Sequence, residues 1–117
     1  MKKIIFLVAI LLIPILTGCS AKTSPDITGL LYQMEDDFIL VVEGIDDLNT
    51  PYDEWFEKGN LAIVFQVTGK TAIFLENKKA TRSELKTGQK VEVWATGGLA
   101  KSYPMQGTAK RINIIPN

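Results

Sequence analysis

The side chains best suited to recognition lie in the C-terminal third: Trp94, and the run Ser102, Tyr103, Pro104 with Gln106 shortly after it. Proline fixes its own φ and restricts the residue before it, so Tyr103-Pro104 presents the phenol ring in one orientation. If Trp94 points outward from its strand beside that loop, two aromatic faces and the Gln106 amide suit a sugar ring or an extended peptide. Flat apolar area would supply contact and polar edges would supply orientation. The competing reading of the same residues is structural, with Tyr103 and Pro104 plugging the end of a barrel and Trp94 covering its flank. A catalytic set is harder to assemble. The chain has no histidine, which removes the commonest general base, the usual partner of a nucleophilic Ser or Cys, and the commonest metal ligand. Lys101 beside Ser102 suggests a Ser-Lys pair, but neighbouring strand residues point to opposite faces and the amine would need deep burial to act as a base. The expectation is a protein that is not an enzyme and carries no cofactor.

Metal chemistry rests on carboxylates alone. Asp36, Asp37, Asp46, Asp47, Asp53 and Glu54 are candidates to gather a Ca²⁺ ion, yet their spacing matches no twelve-residue calcium loop. A metal-binding or enzymatic accessory protein is therefore the second functional reading. It requires the carboxylates of residues 46 to 54 to converge.

One thiol remains. Lys2 and Lys3 precede an apolar run from Ile4 to Leu16, interrupted by Pro14 and followed by Thr17, Gly18 and Cys19. This is the charged, apolar, small-residue order of a secretory signal, and the run is well short of the roughly 20 residues that span a bilayer. Leu16-Thr17-Gly18-Cys19 resembles the bacterial lipobox. The resemblance implies that the Cys19 thiol receives a diacylglycerol and that the bond before it is cut. An ordinary signal peptide with a chance cysteine, or a short anchor helix, are the alternatives. Two acyl chains anchor a protein stably where one does so only marginally. Residues 1–18 thus read as a signal peptide, 19–26 as the lipidated cysteine and a small polar tether, and 27–117 as a single folded domain. The expected location is the extracytoplasmic face of the cell membrane, of Gram-positive type, with the membrane itself as the first partner.

Cleavage before Cys19 leaves 99 of the 117 residues, enough for one small domain. With no second cysteine, no intramolecular disulfide can staple it. Charge is segregated along the chain: Asp26 to Glu57 holds ten acidic residues and no basic one, and Lys58 onward holds ten basic and three acidic. Either the surface is polarised for binding, or strands from the two halves pair and neutralise one another.

The elements that must position these residues are short and mostly β-type. Ile27 to Tyr32 and Phe38 to Val42 read as a hairpin across Glu35-Asp36-Asp37. Residues 44–60 break the pattern, with a helical turn possible at Thr50-Pro51 and Trp55 and Phe56 folding back as a lid on the core. Leu61 to Thr68 and Thr71 to Leu75 read as a second hairpin around Gly69-Lys70. Thr81 to Glu84 supplies a capping box for a short helix ended by Gly88. Lys90 to Ala95 places Val91, Val93 and Ala95 on one face and Glu92 and Trp94 on the other; Thr96-Gly97-Gly98 is a turn or bulge, and Thr108 to Ile115 is the last strand. The predicted fold is mainly β, a small OB-like five-stranded Greek-key barrel with one short helix between strands 3 and 4. A small open sheet or another barrel is the competitor.

The segments Leu85 to Trp94, Ser102 to Gln106 and Ala109 to Ile112 resemble, in order and spacing, the YobA-like family of small secreted Gram-positive lipoproteins. The resemblance runs from about Ile27 to Ile115 and is tightest at Trp94, Ser102-Tyr103-Pro104 and Gln106. It implies a small β-barrel and supplies no activity. An OB-like barrel also invites a nucleic-acid reading, but the balanced charge and the outward address disfavour it. The leading expectation is a non-enzymatic, membrane-anchored module binding an envelope peptide, glycan or protein.

Overall fold

The computed structural model describes residues 24–116; the expected signal peptide (1–18) and Cys19 lie outside the described residues. Seven strands form: β1 (Ile27–Met34), β2 (Phe38–Val42), β3 (Ala62–Gln66), β4 (Ala72–Leu75), β5 (Lys78–Ala80), β6 (Lys90–Ala100) and β7 (Met105–Ile115), with helix α1 (Tyr52–Glu57) between β2 and β3. β1 pairs antiparallel with β2 and with β6, β2 with β3, and β6 with β7, while β3 runs parallel to β7. The order β1-β2-β3-β7-β6 therefore closes on itself. This is the five-stranded OB-like Greek-key barrel that the strand pattern predicts, and closure leaves its strands no open edge.

The alternation of residue types explains which side chains fill it. Ile27 and Leu31 of β1, Ile39 and Val41 of β2, Ile63 and Phe65 of β3, Val91 and Val93 of β6 and Ile112 and Ile114 of β7 all turn inward and form one buried cluster. The predicted inward and outward sets of β6 and β7 both hold, with Trp94 and Lys110 on the outside. β6 and β7 slip register between Thr96 and Ala100, at the predicted Gly97-Gly98 irregularity, where Gly97 has φ +68.

Two segments differ from expectation. Residues 61–75 do not fold back on themselves. β7 is long enough to take β3 along Met105 to Thr108 and β4 along Arg111 to Ile114, both parallel to it, so the chain continues along one edge. The Thr71 hydroxyl fixes the redirection by accepting the Thr68 N–H at 3.0 Å and donating to the Ala109 carbonyl at 2.7 Å. β4 instead forms a hairpin with β5 through Glu76 and Asn77 (φ 53 and 68), the double positive φ of a tight hairpin turn. No glycine marks that turn in the sequence.

The helical content also moves. The helical element between the third and fourth barrel strands, β3 and β6, is only a 3-10 turn, Arg82–Glu84. The capping-box carboxylate is in place, with the Thr81 N–H donating to Glu84 Oε2 at 3.0 Å. Leu85, however, is extended (φ −78, ψ 133) and buried in the barrel core, so core insertion ends the helix after one turn. Among the described residues the α-helix is α1, with Pro51 rather than Thr50 at its N-cap and no side-chain cap bond. α1 closes a second, smaller core on the outside of the barrel: Trp55 is fully buried over Leu40, Val42 and Ala62, with Tyr32, Ile45, Phe56 and Val64 around it.

Candidate functional site

Tyr52, Trp55 and Phe56 have the i, i+3, i+4 spacing that puts side chains on one face of a helical turn. In α1 they form a continuous group of rings. Tyr52 stacks on Phe56 (centroids 5.0 Å apart, 23° between planes), meets Trp55 edge-on at 4.8 Å, and Trp55 meets Tyr32 edge-on at 5.5 Å. Tyr103 joins from the β6–β7 loop, its ring 5.0 Å from Phe56. Its hydroxyl donates to the Asn60 carbonyl at 2.7 Å, with the Trp55 carbonyl at 3.4 Å. The rings are thus fixed at one end by α1 and at the other by a polar bond to the loop after it.

Burial divides the group. Trp55 is fully enclosed, whereas Tyr52 and Tyr103 remain 48% and 40% exposed. Two phenols held in place by an intervening Phe56 form an aromatic surface with little rotamer freedom left to lose on binding. Gln106 is exposed and stands opposite Val64 in the β3–β7 pair. Phe38 (45% exposed) pairs with Gln66 on the same sheet.

The predicted site residues divide between two places. Tyr103 is joined to Pro104 by a cis peptide bond; Ser102 donates its hydroxyl to the Pro104 carbonyl at 2.8 Å, which makes it a turn residue. Trp94 does not join Tyr103. It lies opposite Arg111 in the β6–β7 pair, whereas Ala100, nearer the Tyr103 loop, lies opposite Gln106; the intervening strand amounts to about 20 Å. Trp94 faces the Arg111 guanidinium instead, at 5.2 Å from its ring centroid. Sequence reasoning set Trp94 beside Tyr103; the ring in contact with it is Phe56, on which Tyr52 stacks, and the helical spacing of Tyr52 and Phe56 was the available signal. Among the described residues no three carboxylates gather as a metal site. Asp47 accepts the Asn49 N–H at 2.9 Å and Glu54 reaches Lys58 at 4.0 Å.

Desolvation against α1, and after it the neighbouring Tyr52, raises the Tyr103 pKa above the ordinary phenol value. The folded state therefore keeps the proton to higher pH than the unfolded chain. Stability from this group is complete below about pH 10, the unfolded value, and is lost as pH rises through the folded value. Tyr103→Phe should flatten that alkaline loss, read as the shift in urea midpoint between pH 9 and 11.

The model of one protein family, described as "Protein of unknown function (DUF3221)", matches residues 28–116. The chain belongs to this family. The match takes in the whole barrel, α1 and the Tyr103 loop. Among solved structures, the crystal structure of a yobA protein from Bacillus subtilis subsp. subtilis str. 168 is similar to this chain. Identity is 16%, the TM-score is 0.54, and the alignment covers 81% of this chain and 99% of that one. At that identity the likeness establishes the fold. No curated protein sequence matches the chain at a significant level.

Proposed function

We propose that the protein is a lipid-anchored, extracytoplasmic binding module without catalytic activity, and that Tyr52, Phe56 and Tyr103 form its contact surface for an envelope glycan, peptide or protein. The observation that carries this reading is the Tyr103 phenol: its hydroxyl is engaged by Asn60, its ring packs at a tilt against Phe56, and that ring is still left partly open to solvent. A side chain needed only as a plug would be enclosed, as Trp55 is. The anchor reading rests on Leu16-Thr17-Gly18-Cys19.

Capture from envelope extract by the full chain tests the surface. Tyr52→Ala should reduce recovery of a bound component at least about tenfold, a loss of roughly 1.4 kcal/mol, while Trp94→Ala leaves it unchanged. Equal recovery by wild type and Tyr52→Ala would refute the assignment. The anchor is tested separately: Cys19→Ser should abolish labelling by a fatty-acid probe and release the protein or leave it unprocessed, and continued labelling would exclude this cysteine as the acceptor.

A further inference from the structure

Folding leaves part of the basic segment of the sequence without acidic partners. Among the described residues one ion pair forms, Lys58 with Glu54 at 4.0 Å, within and just after α1. That pair joins the acidic segment to the first residue of the basic one, and Arg82 donates to the Glu35 carbonyl; Lys70, Lys110 and Arg111 are in no ion pair among the described residues.

Part of the basic half is organised beside the point where the tether joins the domain. The Asp26 N–H donates to the Val93 carbonyl at 2.8 Å, and its carboxylate accepts the Ala95 N–H at 2.7 Å; the chain thus meets the barrel alongside Trp94. Across β6, Arg111 lies opposite Trp94, its guanidinium 5.2 Å from that ring and 4.5 Å from the Phe74 ring. A guanidinium held by two aromatic faces is restricted in orientation, and its N–H edge suits a phosphate. Lys70 and Lys110 line one open cleft nearby, together with Thr68, Thr96 and Thr108. The tether limits where this face can go: from Cys19 to Asp26 a fully extended chain spans at most about 25 Å.

We propose that this face, with Arg111 at its centre and Lys70 and Lys110 beside it, docks on the phosphate headgroups of an anionic lipid bilayer. The inference rests on the Cys19 anchor reading. Anchoring places the face within reach of the membrane, where cations within a Debye length of anionic headgroups are attracted. The acidic α1 half is repelled by the same surface, so the domain takes up a preferred orientation.

The test uses the lipidated chain from Cys19 onward in phosphatidylcholine vesicles with and without phosphatidylglycerol, each carrying a headgroup-level quencher. Trp55 is fully buried, so Trp94 is the responsive fluorophore, and Trp94→Phe supplies the blank. Phosphatidylglycerol should increase Trp94 quenching several-fold, and high salt or the double change Lys70→Glu with Lys110→Glu should reverse the increase. Retention on both vesicles with equal quenching would overturn docking and leave the anchor standing. Failure to be retained on either would overturn both. Inorganic phosphate that changed Trp94 emission as strongly as the vesicles would overturn the assignment to a bilayer.

Discussion

Trp55→Ala is expected to lower stability by about 3–5 kcal/mol, the range for removing a large buried aromatic, measured as a fall in the denaturant midpoint at constant slope. Trp55 is fully buried and links Tyr32 and Tyr52 edge-on, so its loss leaves α1 without the side chain that fixes it to the outer faces of β2 and β3. The same change should remove ligand capture, because Tyr52 and Phe56 are presented by that helix. Trp55 Nε1 is a buried polar atom with no hydrogen-bond partner, and leaving a buried donor unpaired costs roughly 1–3 kcal/mol. Trp55→Phe should therefore cost less than the lost volume alone predicts. A Trp55→Phe variant as unstable as Trp55→Ala would show that the indole N–H is satisfied after all.

Gly29→Ala should be nearly as damaging, for a different reason. A methyl built on Gly29 would stand 2.4 Å from the Val42 carbonyl oxygen, 2.7 Å from its carbon and 3.0 Å from Glu43 Cα. These are backbone atoms, so relief requires β1 to move away from the end of β2. Overpacking of this kind costs about 3 kcal/mol, near the top of its usual range. Gly98→Ala is the matched control: no atom lies within 4 Å of its added carbon, and its midpoint should stay within about 0.5 kcal/mol of wild type. Equal effects at the two glycines would contradict the close approach of β1 to β2.

The barrel was legible because its strands carry their own signal. Val91, Val93, Ile112 and Ile114 alternate with polar or amphipathic neighbours, and that period alone sets which side faces inward. The β4–β5 hairpin was hidden, since Glu76-Asn77 lacks the glycine that usually marks two consecutive positive φ values and Lys78-Lys79 lacks apolar character. The expected pairing of β3 with β4 failed because a local turn signal, Gly69-Lys70, competed with the long parallel edge of β7, which no local pattern reveals. The helix at Thr81 was overextended for a related reason: its start is encoded locally by Thr81 and Glu84, and its end is dictated by where Leu85 must go.

The candidate site was half legible. Tyr103 was identified from the restriction that Pro104 imposes, and the start of α1 from Thr50-Pro51, whereas the aromatic spacing that follows was not used. What brings them together is a contact across 47 residues, from Phe56 to Tyr103, fixed by the Asn60 carbonyl. Trp94 shared the residue type expected of a partner, but its place on β6 set it opposite Arg111. Asp26 was read as the last residue of the tether, yet its bonds to Val93 and Ala95 make it the first fixed point of the domain.

The central claim is that the rings of Tyr52, Phe56 and Tyr103 are the surface this protein uses to bind. Its most direct measurement is the aromatic ring spectrum of the protein by NMR during titration with fractionated envelope peptides and glycans. With the fraction that binds, the ring signals of Tyr52, Phe56 and Tyr103 should shift together along one saturation curve, and those of Trp94 and Phe74 should stay in place. Saturable shifts at Trp94 and Phe74 with none at Tyr52 and Tyr103 would contradict the account.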